Sequence, residues 1–476
     1  MEYRNKIIQG DCLEMLRHLP DSIADCVVTS PPYYGLRDYG TGDWIGGDPA
    51  CDHKGKPFRT KENVNKNTDS GGDDVKNKDD RQPFKTECGK CGAARVDKQL
   101  GLERTPEEFI ANMVLVFREV RRVLKPSGTC WINIGDSYAT TSKNRTPDQA
   151  NRKSTIDGSQ SPILKQINKI TSGLKPKDLI GIPWMLAFAL RSDGWYLRQD
   201  IIWHKPNTMP ESVGDRCTKS HEYIFLLAKS REYFYDAWAI KEKVSEKTHE
   251  RYARGRSAEH KWSEGNSLEK AHSFHKGKTN DRQARKMAKA GTGIKNNTSF
   301  DEAMAIMPDM RNKRSVWSVS PEAFPEAHFA TYPQDLIVDC IKAGTSEHGC
   351  CAACGAPYER VLEPSARYAA VLGSSYHDHE EDGSRGMTQT NGTNLQNKMR
   401  DAGIGGAEYE TKGWEKTCEC PGDQTTPAVV LDPFMGAGTT ALVARKLYRD
   451  FTGTELNPEY ISIAERRLKK ELGMFL

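Results

Sequence analysis

The sequence predicts an α/β fold with a mostly parallel sheet, and two stretches near opposite ends of the chain support this prediction. Residues 24–28 form an apolar run that stops at two prolines, as a buried strand does when a rigid loop follows it. Residues 429–432 form a second apolar run, which a glycine-rich turn and a helix start follow. Between them, strand patterns alternate with helix patterns, which is typical of a parallel sheet covered by helices.

The elements before residue 240 follow from apolar periodicity and from cap residues. Asp11 is placed to cap a first helix, and Thr105, Pro106 and Glu108 have the pattern of a helix start with a capping box. The helix after Thr105 should bury one apolar stripe, which consists of Ile110, Met113, Val114, Phe117, Val120 and Leu124. We expect strands at 6–9, 129–134, 195–203 and 222–228, helices at 12–19 and 179–190, and a strand at 233–235 that completes an antiparallel edge hairpin.

The later elements return to the alternating pattern. Asp136 lies just beyond one predicted strand, where we expect it to turn the chain rather than to face a ligand. We expect strands at 314–319 and 450–454 and helices at 334–343, 439–447 and 458–472.

The tetrapeptide after the first apolar run offers an unusual set of hydrogen-bond acceptors. It consists of Ser30, Pro31, Pro32 and Tyr33. The prolines hold the loop extended and lack backbone donors, while their carbonyls remain acceptors beside a hydroxyl and an aromatic ring. This cluster suits a flat heteroaromatic ring with an exocyclic amino group, which would stack on Tyr33 and donate to Ser30 and to the Pro31 carbonyl. The alternative is a strand end followed by an ordinary turn.

The glycine-rich turn near the end of the sequence favours a nucleoside ligand. Its residues are Asp432, Pro433, Phe434, Gly436, Gly438, Thr439 and Thr440. A P-loop is excluded because no Lys-Ser/Thr pair follows the glycines, and a dinucleotide fingerprint is weak because the third glycine is missing. The next predicted strand leads to Glu455, and an acidic side chain at such a strand tip can accept both ribose hydroxyls of a nucleoside.

The two motifs together resemble those of the amino-group DNA methyltransferases, which use S-adenosylmethionine. Because the tetrapeptide precedes the glycine-rich turn, the order is similar to the β arrangement of that family. The resemblance implies a Rossmann-like three-layer sandwich, double-stranded DNA as the partner and a catalytic role for the tetrapeptide. It also implies cofactor contacts from Asp11, Thr29, Phe329, Thr331, Asp432, Pro433, Phe434, Gly436, Gly438, Thr439, Thr440 and Glu455. Helix capping is a compatible role for Asp11, and ordinary packing is the alternative for Phe329 and Thr331.

Ser30 bears on which base would be methylated. In the resembling family, adenine-N6 enzymes commonly carry Asp at this place and cytosine-N4 enzymes carry Ser, so we expect cytosine N4 to be the target. Adenine N6 is the alternative, because a hydroxyl also accepts hydrogen bonds. The strand tip lacks a Pro-Cys pair, which argues against a covalent adduct at a cytosine ring carbon. Two further hypotheses are a catalytically inactive zinc-dependent DNA-binding protein and a methyltransferase for amines of RNA or protein.

The cysteines indicate metal binding. The chain has 13 of them, its N-terminus does not resemble a signal peptide and it lacks an apolar run of about 18 residues, so we expect a cytoplasmic protein with reduced thiols. The clustering predicts two structural zinc sites, with ligands Cys51, His53, Cys88 and Cys91 in one and Cys351, Cys354, Cys418 and Cys420 in the other. Cys350 competes for a place in the second, and unpaired surface cysteines are the alternative.

The distribution of charge predicts where DNA would bind. The net charge is only +4, whereas residues 240–315 are rich in lysine and arginine, carry interleaved aromatic residues and lack apolar periodicity. We expect this segment to contact DNA, and a solvated insertion is the alternative. A cognate restriction endonuclease is a candidate companion, and the sequence does not fix the oligomeric state.

These patterns together predict a methyltransferase core with three insertions. The core would comprise a catalytic half at 1–50 and 101–239, a returning segment with a cofactor-closing helix at 316–346, and a cofactor-binding half at 423–476. The insertions would be a zinc knuckle at 51–100, the basic recognition segment at 240–315 and a second zinc knuckle at 347–422.

Overall fold

The structure is a computed structural model, and it describes residues 3–35, 42–57, 81–83, 87–139, 173–208, 210–245, 310–322, 331–376, 402 and 408–473. Most of the basic segment, residues 246–309, lies outside the described residues, as does Phe329. The chain divides into two compact units. The first contains Met1–Tyr235, Ser315–Glu347 and Pro427–Leu476, and the second contains Asp236–Arg314 and His348–Thr426.

The described residues form strands in both units. In chain order these are β1 (Lys6–Gln9), β2 (Ala24–Thr29), β3 (Asp43–Ile45), β4 (Lys54–Pro57), β5 (Arg81–Pro83), β6 (Ala94–Val96), β7 (Leu124–Ile134), β8 (Tyr196–His204), β9 (His221–Ala228), β10 (Glu242–Lys243), β11 (Met310–Arg311), β12 (Val316–Ser318), β13 (Cys350–Cys351), β14 (Tyr358–Pro364), β15 (Tyr409–Lys416), β16 (Thr425–Thr426), β17 (Val429–Asp432) and β18 (Asp450–Glu455).

The helices are α1 (Cys12–His18), α2 (Pro106–Val123), α3 (Ile182–Ser192), α4 (Gln334–Gly344), α5 (Ala366–Tyr376), α6 (Thr439–Lys446) and α7 (Pro458–Leu472). Among the described residues, none of these helices combines the length and the apolar character needed to cross a membrane.

The central sheet of the first unit has the strand order β1-β18-β17-β2-β7-β9-β8-β12 within the described residues. Neighbouring strands run parallel, except that β9 is antiparallel to both β7 and β8. Helices α1, α2 and α3 pack together as one layer, and α4, α6 and α7 pack together as another. The predicted three-layer α/β fold with a mostly parallel sheet and an antiparallel hairpin is thereby confirmed.

The extra strand expected at residues 233–235 is not formed, and that prediction is wrong. The Phe234 amide donates to the Ser127 carbonyl at 2.8 Å instead of joining a strand ladder. The place beside β8 at the sheet edge is taken by β12, which arrives from far along the chain.

Helix α2 supplies much of the core on one face of the sheet. Thr105 Oγ1 accepts from the Glu108 amide at 3.1 Å, as predicted, whereas the Glu108 carboxylate accepts from the Arg104 amide at 3.0 Å. Phe109 and Val116 are buried in addition to most of the predicted stripe. The buried face is wider than predicted because α1, α3 and β7 all pack against this helix.

Asp136 turns the chain after β7 and fixes where α3 begins. Its carboxylate accepts from the Gly181 amide at 3.0 Å and from the Ile182 amide at 3.2 Å. Gly181 adopts a left-handed conformation with φ 85°, so the helix begins at Ile182 and not at residue 179 as predicted.

The second unit is built from short antiparallel pairs, in which β14 pairs with β15, β13 with β16 and β10 with β11. Arg360 on β14 forms an ion pair with the buried Asp236 at 2.9 Å, and its guanidinium lies 4.4 Å from the ring centre of Trp414. This pair is shielded from solvent, so it fixes β14 more firmly than an exposed pair would.

Candidate functional site

A cavity of about 370 Å³ opens in the first unit at the carboxyl ends of its parallel strands. The loops after β1, β2 and β17 line it, together with the ends of β7, β8 and β18 and the start of β9. Ligands of open α/β sheets bind at this edge, and a volume of about 300–1,000 Å³ is typical of small-molecule sites. The cavity is therefore the candidate site.

The glycine-rich turn between β17 and α6 forms one end of the cavity. Gly438 has φ 77°, and a Cβ there would lie 2.8 Å from the Cβ of Ala464, so only glycine fits. The Gly436 amide donates to Glu455 Oε2 at 2.8 Å, and the Asn457 amide donates to Oε1 at 2.8 Å. Burial raises the pKa of Glu455, and its carboxylate has further lone pairs with which to accept from a ligand.

A buried carboxylate ties this turn to the strand that carries the tetrapeptide. Asp432 accepts from Thr29 Oγ1 and Thr440 Oγ1 at 2.6 Å each, from the Phe434 amide at 3.0 Å and from the Tyr332 hydroxyl at 3.1 Å. Burial raises the pKa of Asp432, while these donors favour its charged form. Since Asp432 ends β17 and Thr29 ends β2, the network fixes the distance between the two loops that follow these strands.

The tetrapeptide forms the opposite end of the cavity, with polar partners on β7 and β9. The Tyr33 hydroxyl lies 2.6 Å from Glu222 Oε2 and 3.2 Å from Asn133 Oδ1, and the Ser30 hydroxyl lies 3.4 Å from Asn133 Oδ1. Asn133 Nδ2 donates to the Tyr223 carbonyl at 3.2 Å and to Glu222 Oε2 at 3.3 Å. This end is thus a network of side chains contributed by three adjacent strands or strand ends.

Lys205 adds a charged group beside the tetrapeptide. Its ammonium forms an ion pair with Glu222 and lies 4.2 Å from the ring centre of Trp203. All three residues line the cavity. The ion pair balances the charge of the Glu222 carboxylate, which can therefore go on accepting from Tyr33 and Asn133.

The structure brings most of the predicted site residues to this cavity. Those that line it are Asp11, Ser30, Pro31, Pro32, Tyr33, Thr331, Pro433, Phe434, Gly436, Thr439 and Glu455. Asp11 also caps α1, because its carboxylate accepts from the Glu14 amide at 3.0 Å. The residues that lie buried behind the wall are Thr29, Asp432, Gly438 and Thr440.

Three polar residues of the cavity wall, Asn133, Lys205 and Glu222, were not identified from the sequence as site residues. Asn133 and Glu222 interrupt apolar strands, and a polar residue near the end of a buried strand is a signal that points to a site. Lys205 comes just after the predicted strand at 195–203, and its ion pair with Glu222 depends on the pairing of β8 with β9.

Residues 98–100 also line the cavity, and they come shortly after Cys88 and Cys91 along the chain. The next residue, Gly101, accepts from the Gly35 amide at 2.9 Å. A Cβ on Gly101 would lie 2.9 Å from the carbonyl oxygen of Tyr33, and its φ is 94°. This segment therefore lies directly against the tetrapeptide, where only glycine allows so close an approach.

The first cysteine cluster consists of Cys51, His53, Cys88 and Cys91, whose ligand atoms all lie within 4.8 Å of one another. Cys51 Sγ lies 3.7 Å from Cys88 Sγ, and Cys91 Sγ lies 3.6 Å from His53 Nδ1. The Trp44 ring stacks on His53 with ring centres 4.6 Å apart. A hydrogen bond from the backbone of Asp48 lowers the pKa of Cys91 to about 7, which favours the thiolate that metals bind.

The second cysteine cluster lies in the second unit. Cys351, Cys354, Cys418 and Cys420 have their sulfur atoms within 4.8 Å of one another. A hydrogen bond from the backbone of Cys354 lowers the pKa of Cys351 to about 6. Cys350 is not a member of the group and is buried on β13 opposite Thr426.

Comparison with known proteins points to methyltransferases. The family model for DNA methylases of the N6/N4 type matches residues 24–352 and 425–466. The Type II methyltransferase M.Cfr9I of Citrobacter freundii is 30% identical over 466 residues, which cover 98% of this chain and 88% of that protein. The Type II methyltransferase M.SmaI of Serratia marcescens is 31% identical over 463 residues, which cover 97% and 90%. Among solved structures, PvuII DNA methyltransferase (cytosine-N4-specific) aligns with a TM-score of 0.41 and 11% identity over 100% of this chain and 94% of that one.

Proposed function

The chain belongs to the N6/N4 DNA methylase family, and we propose that it methylates the N4 amino group of cytosine in double-stranded DNA with S-adenosylmethionine as the methyl donor. The observation that carries this proposal is the shared cavity. The tetrapeptide and the glycine-rich turn line it together, and the Asp432 network holds their strands side by side. A base at one end and a nucleoside cofactor at the other would then meet in a fixed geometry, which is the largest contribution such a site can make.

The glycine-rich end fits a nucleoside cofactor. Glu455 would accept from the ribose hydroxyls, and the absence of a side chain at Gly436 lets the main chain approach the ligand. Asp11 lines the same end, where it would lie against the adenine. When bound, S-adenosylmethionine supplies a methyl group on a positively charged sulfur.

The tetrapeptide end fits an exocyclic amino group. The lone pair of that nitrogen is delocalised into the ring, so the nitrogen attacks better when acceptors hold its two hydrogens. The Ser30 hydroxyl and the Pro31 carbonyl would accept these hydrogens, and Tyr33 would stack on the ring. These two acceptors would hold the nitrogen with its lone pair toward the methyl group of a cofactor bound at the other end, and the proton that the methylated nitrogen loses would pass to solvent. The base must leave the duplex to reach this site.

Nucleoside mass spectrometry of DNA treated with the purified protein tests the proposal. Cytosine is favoured over adenine because cytosine-N4 enzymes of the family carry Ser at this place. The adenine-N6 enzymes commonly carry Asp there, whose carboxylate is a stronger acceptor than the Ser30 hydroxyl. We expect N4-methylcytosine with the wild type and about 100-fold less of it with Ser30→Ala after the same incubation. N6-methyladenine alone would overturn the choice of base. A protein that binds the cofactor and leaves every DNA base unmethylated would overturn the function.

We also propose that both cysteine clusters hold zinc. Three thiolates with one imidazole, and four thiolates, are donor sets typical of structural zinc. Four protein ligands leave no place for water, so neither ion would take part in the chemistry. Elemental analysis of the purified chain should give two zinc ions per chain, and a value near zero in the presence of free zinc would contradict this part of the proposal.

DNA would be held by the basic segment at residues 240–315, and this proposal rests on its composition. Deletion of residues 246–309 should leave cofactor binding unchanged and abolish DNA affinity at moderate salt. Because the relatives named above are Type II methyltransferases, we propose a restriction endonuclease of the same sequence specificity as the companion of this enzyme.

A further inference from the structure

We propose that Asn133 is a positioning residue that fixes the Ser30 hydroxyl as a hydrogen-bond acceptor for the target amino group. The inference rests on the methyl transfer proposed above and adds a residue to it. A serine hydroxyl can either donate or accept, and only acceptance helps a nitrogen nucleophile. The contribution of Ser30 therefore depends on where its own proton points.

Two groups that only accept hydrogen bonds lock the amide of Asn133. Its Nδ2 lies 3.2 Å from the Tyr223 carbonyl oxygen and 3.3 Å from Glu222 Oε2. The flipped amide would place its oxygen against both acceptors and would lose both hydrogen bonds. Oδ1 must therefore face the tetrapeptide.

Oδ1 has two hydroxyl neighbours in the tetrapeptide, and they differ in what else they can reach. The Tyr33 hydroxyl lies 2.6 Å from Glu222 Oε2 and 3.2 Å from Oδ1, so its single proton goes to the carboxylate. The Ser30 hydroxyl lies 3.4 Å from Oδ1, which is its acceptor among the described residues. The Ser30 proton therefore points to Asn133, and the lone pairs of Ser30 are left for the ligand.

The surroundings make this orientation matter. Asn133 is only 5% exposed, so a polar partner that loses its hydrogen bond here is poorly compensated by water. The distance of 3.4 Å is long for a hydroxyl donor, and hydrogen bonds of this kind shorten when the substrate completes the site. Lys205 pairs with Glu222 and so supports the carboxylate that holds Asn133 from the other side.

A double-mutant cycle tests whether Asn133 acts through Ser30. Asn133→Leu keeps the size of the side chain and removes both its donor and its acceptor. If Asn133 orients Ser30, this change should lower turnover at least about tenfold in the wild-type background and less than about twofold in the Ser30→Ala background. Turnover is followed by transfer of a tritiated methyl group to DNA, with incubations long enough to measure the Ser30→Ala rate.

The controls separate positioning from folding. Cofactor affinity, measured by calorimetry, should stay within about twofold of the wild type in all variants, because the substitution lies at the opposite end of the cavity. Ser462→Ala, on the exposed face of α7, should leave turnover unchanged. Equal losses in both backgrounds, or a loss of cofactor affinity parallel to that of turnover, would overturn the inference while leaving the proposed function intact. A wild type that transfers no methyl group would end both.

Discussion

The two ends of the cavity are made of different groups. At the glycine-rich end, the main-chain amides of Gly436 and Asn457 hold the Glu455 carboxylate in a position set by β17 and β18. At the tetrapeptide end, the side chains of Ser30, Tyr33, Asn133 and Glu222 form a network. A site built from main-chain groups suits a ligand that never changes, whereas a network of side chains can be altered residue by residue to suit a different base. We therefore expect binding and turnover to respond separately to substitutions at the two ends.

The largest expected effect belongs to the tetrapeptide end. Ser30→Ala should lower turnover about 100-fold, in the range for loss of one aligned hydrogen-bonding group in a catalytic site, and change cofactor affinity less than about twofold. Methyl transfer at saturating cofactor and calorimetric titration measure the two quantities. Ser462→Ala, on the solvent side of α7, is the matched control. Equal losses in both quantities would show that the two ends do not act separately.

The mirror experiment addresses the cofactor end. Glu455→Ala should weaken S-adenosylmethionine binding about 10- to 100-fold, because a hydrogen bond to a charged group contributes about 1.5–3 kcal/mol. Turnover at saturating cofactor should be retained to within a few-fold. The exposed Glu465→Ala on α7 is the control. Unchanged cofactor affinity together with lost turnover would contradict the assignment of Glu455 to cofactor binding.

The two cysteine clusters allow a finer test. Both are proposed to hold a structural zinc ion, but only the first is followed closely along the chain by residues that line the cavity. The first is followed by residues 98–100, which line the cavity, whereas the lining residues include none from the second unit among the described residues. Cys91→Ser should release one zinc ion and weaken cofactor binding about fivefold, because the wall segment loses its anchor. Cys354→Ser should release the other ion with cofactor affinity unchanged. Equal effects of the two variants on cofactor affinity would contradict this distinction.

The smallest expected effect is a pH dependence confined to the cofactor end. Burial raises the pKa of Glu455, so its carboxyl takes up a proton at a higher pH than an exposed glutamate does. When the pH falls through the pKa of Glu455, its carboxylate is protonated and no longer offers a charged acceptor to the ribose hydroxyls. Cofactor affinity should then fall a few-fold. Glu455→Gln should remove this dependence. A wild-type affinity that rises on acidification would contradict the assignment.

Local patterns were sufficient to predict the two loops that line the cavity. Each lies where an apolar strand meets residues with a special backbone, the prolines after β2 and the glycines after β17. The start of α7 at Pro458 was also predicted, and in the structure the side chain of Asn457 caps this helix by accepting from the Glu459 amide. These features depend on a few neighbouring residues, so the sequence alone specifies them.

Features that depend on sheet order were harder to predict. Asn133 and Glu222 meet Ser30 only because β7 lies between β2 and β9. The segment 233–235 is a second case, because Phe234 bonds to Ser127 on β7, and the place beside β8 is taken by β12 from far along the chain. The start of α3 also depends on a long-range contact, since Asp136 caps it across the loop. Local sequence patterns do not predict such contacts, because the residues involved lie far apart along the chain.

Photocrosslinking tests most directly whether the two loops share one cofactor cavity. The full-length protein would be irradiated with S-adenosylmethionine carrying a tritiated methyl group, and the labelled peptides would be sequenced. We predict label, suppressed by excess S-adenosylhomocysteine, on peptides that contain Tyr33 or residues 433–440. Suppressible label found only on peptides from residues 348–426 of the second unit would contradict the account.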